Sequence, residues 1–492
     1  MAGTDAPFGP PAPRVAPLDR SRLLPPAPAR SRLLVWLAWL TAGGCAHYTP
    51  APLDPVATAQ AYTARRLDAS DLTDWLAAHG SRPSSSGWGA ADLSLVALYY
   101  QPAIERARAG WLAVQAAERT AGARPQPGLQ SELGYATSAD VFQSRWYSSV
   151  NAIFTLELGG KRGARVIAAR ARTAVAETDL DETAWRMTRA VRAAAVGLAA
   201  ARERLADAAA GAGRVAAFAE RLRRRYAEGT LSRSELAAIE SEEADARAAA
   251  SREREAVAAA RVALAQAAGL PPRELDSLPI AAEPAPACPT AGEDSLQAVA
   301  LRRRPEVGRG LAEYAVAEGD LRVAVADAYP DLSLGPGFVW DQGIGRWSLL
   351  LGLPRLALNR NRGPIGEALA RRKEAGARFA EQQQAVLEEV AGAVAACRLA
   401  LVDVAGTDSV RQANRRQAEL ARAAYERGEL SATALEPLEL IETRALRDLH
   451  AARQRLAAAG LALETAVGEW PPGEIHWPDP RDPVRRAQEA SR

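Results

Sequence analysis

Four stretches of the chain alternate apolar with polar or small residues at a period of two, the pattern of a strand with one apolar face. From Arg145 to Leu158 one face carries Trp146, Ser148, Val150, Ala152, Phe154, Leu156 and Leu158; the other carries Arg145, Tyr147, Ser149, Asn151, Ile153, Thr155 and Glu157. Over Asp331–Asp341 the apolar face is Leu332, Leu334, Pro336, Phe338 and Trp340. Over Arg346–Leu353 it is Trp347, Leu349, Leu351 and Leu353. The weakest stretch, Leu129–Thr137, sets Leu133 and Tyr135 against Gln130, Glu132, Gly134 and Ala136. Around these strands the sequence predicts helices over 90–123, 164–227, 232–268, 295–328, 364–427 and 431–469. The two longest are rich in Ala, Arg and Glu and nearly free of breakers, and at about 1.5 Å per residue each spans ~96 Å. Rods of that length need neighbours, and alanine at contact positions lets helices approach closely. A free coiled coil is the plainer alternative; it predicts sustained Leu/Ile heptads, which are not present over long stretches.

The strands have the period and roughly the 9–11 residue length of a transmembrane β-barrel strand. Trp146, Trp340 and Trp347 stand near strand ends, as interfacial aromatics do. The competing reading is an ordinary sheet half-buried on a helix layer. Pro336 speaks against a regular strand, because it removes a ladder donor, and marks a bulge or kink. The strand number has a consequence of its own. Two strands in each half give four per chain, and lipid tolerates no open edge. Four strands cannot close alone, so a membrane-spanning role requires several chains sharing one barrel.

The two halves resemble each other. Ala97-Leu98 and Pro102-Ala103-Ile104 match Ala300-Leu301 and Pro305-Glu306-Val307. Leu156-Glu157-Leu158 through Arg162-Gly163 matches Leu356-Ala357-Leu358 through Arg362-Gly363, an offset of 200. Tyr226 to Ser232 matches Tyr425 to Ser431. A period so long is no solenoid and indicates two copies of one module. Proline sets the boundaries. It crowds residues 7–55, is absent from 128 to 270 and returns in the stretch 279–292, which reads as a linker. The organisation expected is a leader over 1–44, an anchor and following segment over 45–89, a first repeat over 90–278, a linker over 279–294, a second repeat over 295–470 and a tail over 471–492.

Composition removes whole classes of function. The 61 Lys+Arg and 59 Asp+Glu leave a net charge of +2, which excludes binding nucleic acid through a broad basic surface. Cys45, Cys288 and Cys397 are far apart, and His47, His79, His450 and His476 are scattered, so no metal spacing, triad or dyad can be drawn. Gly160-Lys161-Arg162 is a poor fragment of a phosphate loop: Thr155 stands where a Gly is needed and Arg162 where a Ser or Thr is needed. The chain is expected to be no enzyme, with no cofactor and no resident metal.

At the amino end, Arg30-Ser31-Arg32 precedes the uncharged run Leu33 to Leu40, which is too short to span a bilayer and has the size of a secretory h-region. Thr41-Ala42-Gly43-Gly44-Cys45 resembles a bacterial lipobox, with Ala42 where Leu is usual, and makes Cys45 the expected lipidation site. A plain signal peptide with an incidental cysteine is the alternative. With only Cys288 and Cys397 remaining, and no small domain to staple, no essential disulfide is expected.

The order helix, strand, strand, long helix, turn, helix, given twice behind a lipobox, resembles the TolC-type outer-membrane efflux family over roughly residues 90–470. The closest likeness is to the outer-membrane component of cobalt–zinc–cadmium-type heavy-metal systems, carried by Glu157 to Arg165 and by Leu353 to Ile365. The resemblance implies a mainly α fold with a small transmembrane β part: a homotrimer forming an α-helical tunnel topped by one shared twelve-strand barrel. It implies strand-to-helix junctions at Gly159, Gly160 and Gly163 and at Asn359, Asn361, Gly363 and Pro364. It places Gly229, Leu231 and Ser232, and Gly428, Leu430 and Ser431, at periplasmic tips that meet an adaptor, the exposed leucines making contact. A helix C-cap is the structural reading of the same two glycines. The implied partners are that adaptor, an inner-membrane pump of the resistance-nodulation-division type and outer-membrane lipid, with no nucleic acid. Metal ions lead as cargo and organic drugs follow. A conduit for secreted polypeptides and a non-channel helical scaffold are the competing functions.

Overall fold

The computed structural model describes residues 48–81, 87–137, 145–276, 279–281, 286–289, 291–341, 343–353 and 359–468. Cys45, the leader, the tail and the motif residues 354–358 lie outside them. The chain divides into two units, residues 1–59 and 60–492. The described part of the first, residues 48–59, holds the start of helix α1 (Pro55–Thr63) and is exposed throughout.

In the second unit, α2 (Ser70–Ala78) is followed by the first repeat: α3 (Ala90–Tyr100), α4 (Pro102–Ala121), β1 (Gly128–Tyr135), β2 (Trp146–Leu156), α5 (Lys161–Ala227) and α6 (Arg233–Ala268). The second repeat is α7 (Glu293–Arg303), α8 (Pro305–Ala326), β3 (Leu332–Asp341), β4 (Ile344–Gly352), α9 (Arg362–Glu426) and α10 (Ala432–Val467). Each expected opening helix is in fact two. Proline disfavours the α conformation in the residue before it, and Gln101 and Arg304 are extended at ψ 120° and 124°, immediately before Pro102 and Pro305. The long helices run 67 and 65 residues. Their interiors fit the alanine-rich sequence: Ala164, Ala168, Ala195, Ala201 and Ala219 are buried on α5.

The apolar core gathers at three levels. One cluster joins α2, α3, α5 and α6 through Leu72, Leu93, Leu95, Val191, Leu198 and Leu264. A second joins α7 to α10 through Leu296, Val386, Val390 and Leu463. A third, smaller cluster closes the far end of the α5–α6 hairpin around Val215, Leu222, Leu236 and Ile239.

The linker is strapped down. Trp88 donates its amide to Pro279 O, and Ala281 donates to Trp88 O, each at 3.0 Å. Pro286 lies so close to α10 that a Cβ on Gly460 would stand 2.3 Å from its carbonyl oxygen. Although only two cysteines remain and there is no small domain to staple, which led to no essential disulfide being expected, Cys288 and Cys397 are disulfide-bonded, joining linker to α9 across 109 residues of sequence. Sequence distance concealed a pair that the straps bring together.

The four strands form one antiparallel sheet in the order β1-β2-β3-β4, so β2 and β3 join the repeats and β1 and β4 are open edges. Pairing lapses where Ala152 and Ile153 pass Pro336 and Gly335, then resumes in the same register. Pro336 therefore marks a gap in the ladder rather than the expected bulge, and it stays in register with Leu349 of β4.

Candidate functional site

Register decides what the sheet presents. Tyr135 lies opposite Trp146, Ser148 opposite Trp340, Phe338 opposite Trp347, and Leu334 opposite both Phe154 and Leu351. The four apolar faces read from sequence are thereby fused into one. That face is open: Leu129, Leu133, Trp146, Val150, Leu349 and Leu351 are exposed, and Trp347 is 87% exposed. The opposite face carries Gln130, Glu132, Tyr147, Asn151, Ser333, Arg346 and Ser348. No helix layer covers either face among the described residues, where Gly335 and Gly337 alone are buried in the strands. This removes the half-buried sheet as an account of the pattern. Trp146, Trp340 and Trp347 all fall at the hairpin end, with edge-to-face pairs Tyr135–Trp146 (5.0 Å) and Phe338–Trp347 (5.5 Å).

At the other end the strands give way to helices. Gly159 and Gly160 have φ of 70° and 73°, and Gly160 is the N-cap of α5. The second copy makes the same turn with Arg360 (φ 51°) and Asn361 (φ 56°), Asn361 being the N-cap of α9. Backbone conformation thus aligns the junctions at an offset of 201 rather than the 200 suggested by the letters. Asn361 donates its side-chain amide to Ala324 O at 2.7 Å, and Asn359 accepts from the Asn361 amide at 3.2 Å. Gly163 and Gly363 lie in first helical turns with open space around them, and Pro364 follows in the same turn. Sequence reasoning passed over the side chains that lock these junctions. Lys161 is buried and donates to Asp331 at 2.7 Å, tying the start of α5 to the start of β3. Arg162 donates to Gly122 O at 2.6 Å, and Arg165 pairs with Glu157.

The two hairpin tips share one cap. Thr230 N donates to Arg225 O and Gly229 N to Tyr226 O; Glu429 N donates to Ala424 O and Gly428 N to Tyr425 O. This is the Schellman arrangement, with left-handed glycine at φ 73° and 75°. Ser232 then caps α6 reciprocally with Glu235, and Ser431 is the N-cap of α10 with Ala434 three residues on. Leu231 and Leu430 are half-buried rather than fully exposed, and Leu231 packs on the end cluster. Above each tip an arginine crosses the hairpin: Arg223 to Glu243, and Arg422 to Glu442 at 2.9 Å. Glu243 is 2% exposed and also takes Arg247. The hydrogen bond from Arg223, helped by the charges of Arg223 and Arg247, holds its carboxyl below the ordinary range despite burial.

Between the levels the repeats are tied by polar pairs. Arg192 donates to Glu464 at 3.2 Å, and buried Arg304 reaches Glu306 and Glu389 beside the Trp185 ring. His450 meets Asp207 at 2.6 Å in a cleft of about 440 Å³ lined also by Glu203, Arg453 and Gln454. Among the described residues no three His, Cys, Asp or Glu side chains gather to hold a metal, and no helix is long and apolar enough to cross a membrane.

No protein-family model matches the chain, and no curated protein matches it. Solved structures do. The outer membrane protein VceC from Vibrio cholerae is 22% identical, with 76% of this chain and 95% of VceC covered at a TM-score of 0.63. The outer-membrane channel OprN is 20% identical, with 86% and 98% covered at 0.65. The Campylobacter jejuni CmeC outer membrane channel is 14% identical, with 90% and 97% covered at 0.63. This chain therefore has the fold of the TolC-type outer-membrane channels.

Proposed function

We propose that the chain is the outer-membrane exit duct of a tripartite efflux system, passively conducting small cargo from an inner-membrane pump and a periplasmic adaptor to the exterior. One observation carries this reading: a four-stranded sheet with one continuous apolar face uncovered and both edges unpaired. In water such a face and such edges would aggregate. In a bilayer, edges joined between three chains give a closed twelve-strand barrel whose apolar side meets lipid. Trp146, Trp340 and Trp347 then mark the outer interface, and the Gln130, Asn151, Ser333 and Ser348 face lines the lumen. Cys45 is the lipid anchor, and the turns Gly229 to Ser232 and Gly428 to Ser431 are the adaptor contacts. Metal cations are the first cargo to test and organic drugs the second. The pump, of the resistance-nodulation-division type, supplies energy and most of the selection.

Leu349 and Leu350 are neighbours on opposite faces of β4, and both are exposed in the single chain. Spin labels placed at each in turn, in protein reconstituted into vesicles, test the assignment. The label at 349 is expected to be relaxed by oxygen dissolved in lipid, and the label at 350 by a water-soluble nickel complex. Equal exposure of both labels to the nickel complex would sink the barrel reading.

A further inference from the structure

Arginine gathers at one place on the long hairpins. There α10 packs on α9 and, more sparingly, on α5. An open cleft of about 470 Å³ lies along this seam. Arg214 of α5 lines it from one side, and Arg411, Arg415 and Arg422 of α9 from the other. The carboxylates in the same lining are Glu419 and Glu442. Four guanidinium groups thus share the cleft with two carboxylates, in a chain whose net charge is only +2.

The arginines of α9 have partners, but two of these are neighbours on the same helix. Arg411 pairs with Asp408 at 2.9 Å and Arg415 with Glu419 at 2.8 Å. Same-helix pairs near the surface contribute little, so these guanidinium groups are available to a better acceptor. Arg422 spans the hairpin to Glu442 at 2.9 Å and forms the wall nearest the tip. Arg214 differs from its counterparts. Arg204, Arg444 and Arg455 each cross from one long helix to another and meet a carboxylate, Glu253, Glu242 and Asp403 in turn. Arg214 crosses from α5 to α10 and donates to the Thr443 hydroxyl, a neutral acceptor. Among the described residues no carboxylate pairs with it. Guanidinium groups collected around open space repel one another, and an anion between them removes that cost. The arginine fork also matches the paired oxygens of a phosphate or sulfate.

We propose that this cleft binds a small multivalent oxyanion of the phosphate or sulfate class, held by Arg214 from the first repeat and by Arg411 and Arg415 from the second. The site stands roughly 80 Å along α9 from the end of the sheet, at about 1.5 Å per residue. With the sheet in the bilayer, the anion comes from solution and not from a lipid head group of that bilayer. Once bound it joins the hairpin of one repeat to the hairpin of the other, so its arrival stiffens the seam between them. The inference needs the fold of one chain and not the duct reading.

The test is calorimetric titration of sodium phosphate into the full chain in detergent, with sodium chloride of matched ionic strength as the reference. Saturable binding is expected with phosphate, competition with sulfate, and no binding isotherm with chloride. Amide exchange is expected to slow around Arg214 and Thr443 when phosphate is present, and to stay unchanged in the Leu93–Leu198 cluster. Arg214→Gln keeps a donor for Thr443 and removes the charge; it is expected to weaken phosphate binding about tenfold or more, the loss that goes with one charge-assisted hydrogen bond. Arg411→Gln and Arg415→Gln, whose side chains lie on the helix surface, provide a second route to the same loss, and circular dichroism checks that each variant folds. Arg371→Gln, which removes an arginine paired with Glu367 near the start of α9, is expected to leave binding unchanged. Equal responses to phosphate and chloride, or phosphate binding undiminished when Arg214→Gln and Arg415→Gln are combined, would overturn the proposal. A protein that binds phosphate and never conducts keeps the site and removes the duct; one that conducts and ignores phosphate does the reverse.

Discussion

The two repeats follow one backbone with different side chains, and the differences show which features the backbone demands. Both junctions need two left-handed residues before the long helix. The first uses Gly159 and Gly160, the second Arg360 and Asn361. Both tips need a left-handed glycine, and both have one. Both hairpins carry an arginine–glutamate tie above the tip, but Glu243 is gripped by two guanidinium groups and nearly fully buried, whereas Glu442 is more open. Reciprocal capping by a carboxylate belongs to the first tip, through Glu235. The disulfide, in contrast, belongs to the second repeat, where it pins the linker to α9. The first repeat is therefore secured near its tip and the second near its linker.

The largest expected effect breaks that contrast at the linker. Reducing Cys288–Cys397 opens a loop of 109 residues, and loop-closure entropy predicts a loss of roughly 5 kcal/mol. Hydrogen exchange should place the loss around Leu296, Val390 and Leu463, and leave the Leu93–Leu198 cluster protected. Next comes the buried carboxylate. Glu243→Gln should lower the melting temperature by several degrees, and Glu442→Gln by clearly less. The sign with pH follows from the lowered carboxyl of Glu243. Its contribution is complete above the unfolded-state value and fades as pH falls through the lower folded-state value. Acid melting curves of wild type should lose that increment, and Glu243→Gln should lack it at every pH.

Smaller effects sharpen the junction comparison. Gly159→Ala should cost about 2–3 kcal/mol, because a left-handed alanine is strained and its Cβ would stand 2.5 Å from the Tyr329 ring. Gly160→Ala, with open space around it, should cost about 1–2 kcal/mol. Arg360→Gly should instead gain up to about 1 kcal/mol. Chemical denaturation of the three variants in detergent checks the order. At the tips, Ser232→Ala should cost about 1 kcal/mol of local stability, and Ser431→Ala less, as read from exchange of the tip amides.

Much of the fold was legible because its elements are long and periodic. The strand ends moved by only a few residues, since alternation stops where the sheet stops, and the long helices were marked by their lack of breakers. Pro102 and Pro305 are visible as repeat matches, and each splits its opening helix because the residue before it is held extended. The single apolar face needed register, which no strand carries alone. Lys161–Asp331 and Arg304–Glu389 bring together residues far apart in sequence, and local pattern does not reach that far. The Glu243 and Glu442 ties were within reach, because Arg223 and Arg422 repeat at the same offset as the tip glycines.

The proposed function requires several copies to build one conducting barrel. Conductance of the purified protein in planar bilayers, recorded beside its mass in the same detergent, tests this most directly. The expected result is a trimer that opens in discrete steps, more often when Gly229 and Gly428 are substituted to loosen the tips. A monomer that stays silent, with tips intact and with tips loosened, would contradict it.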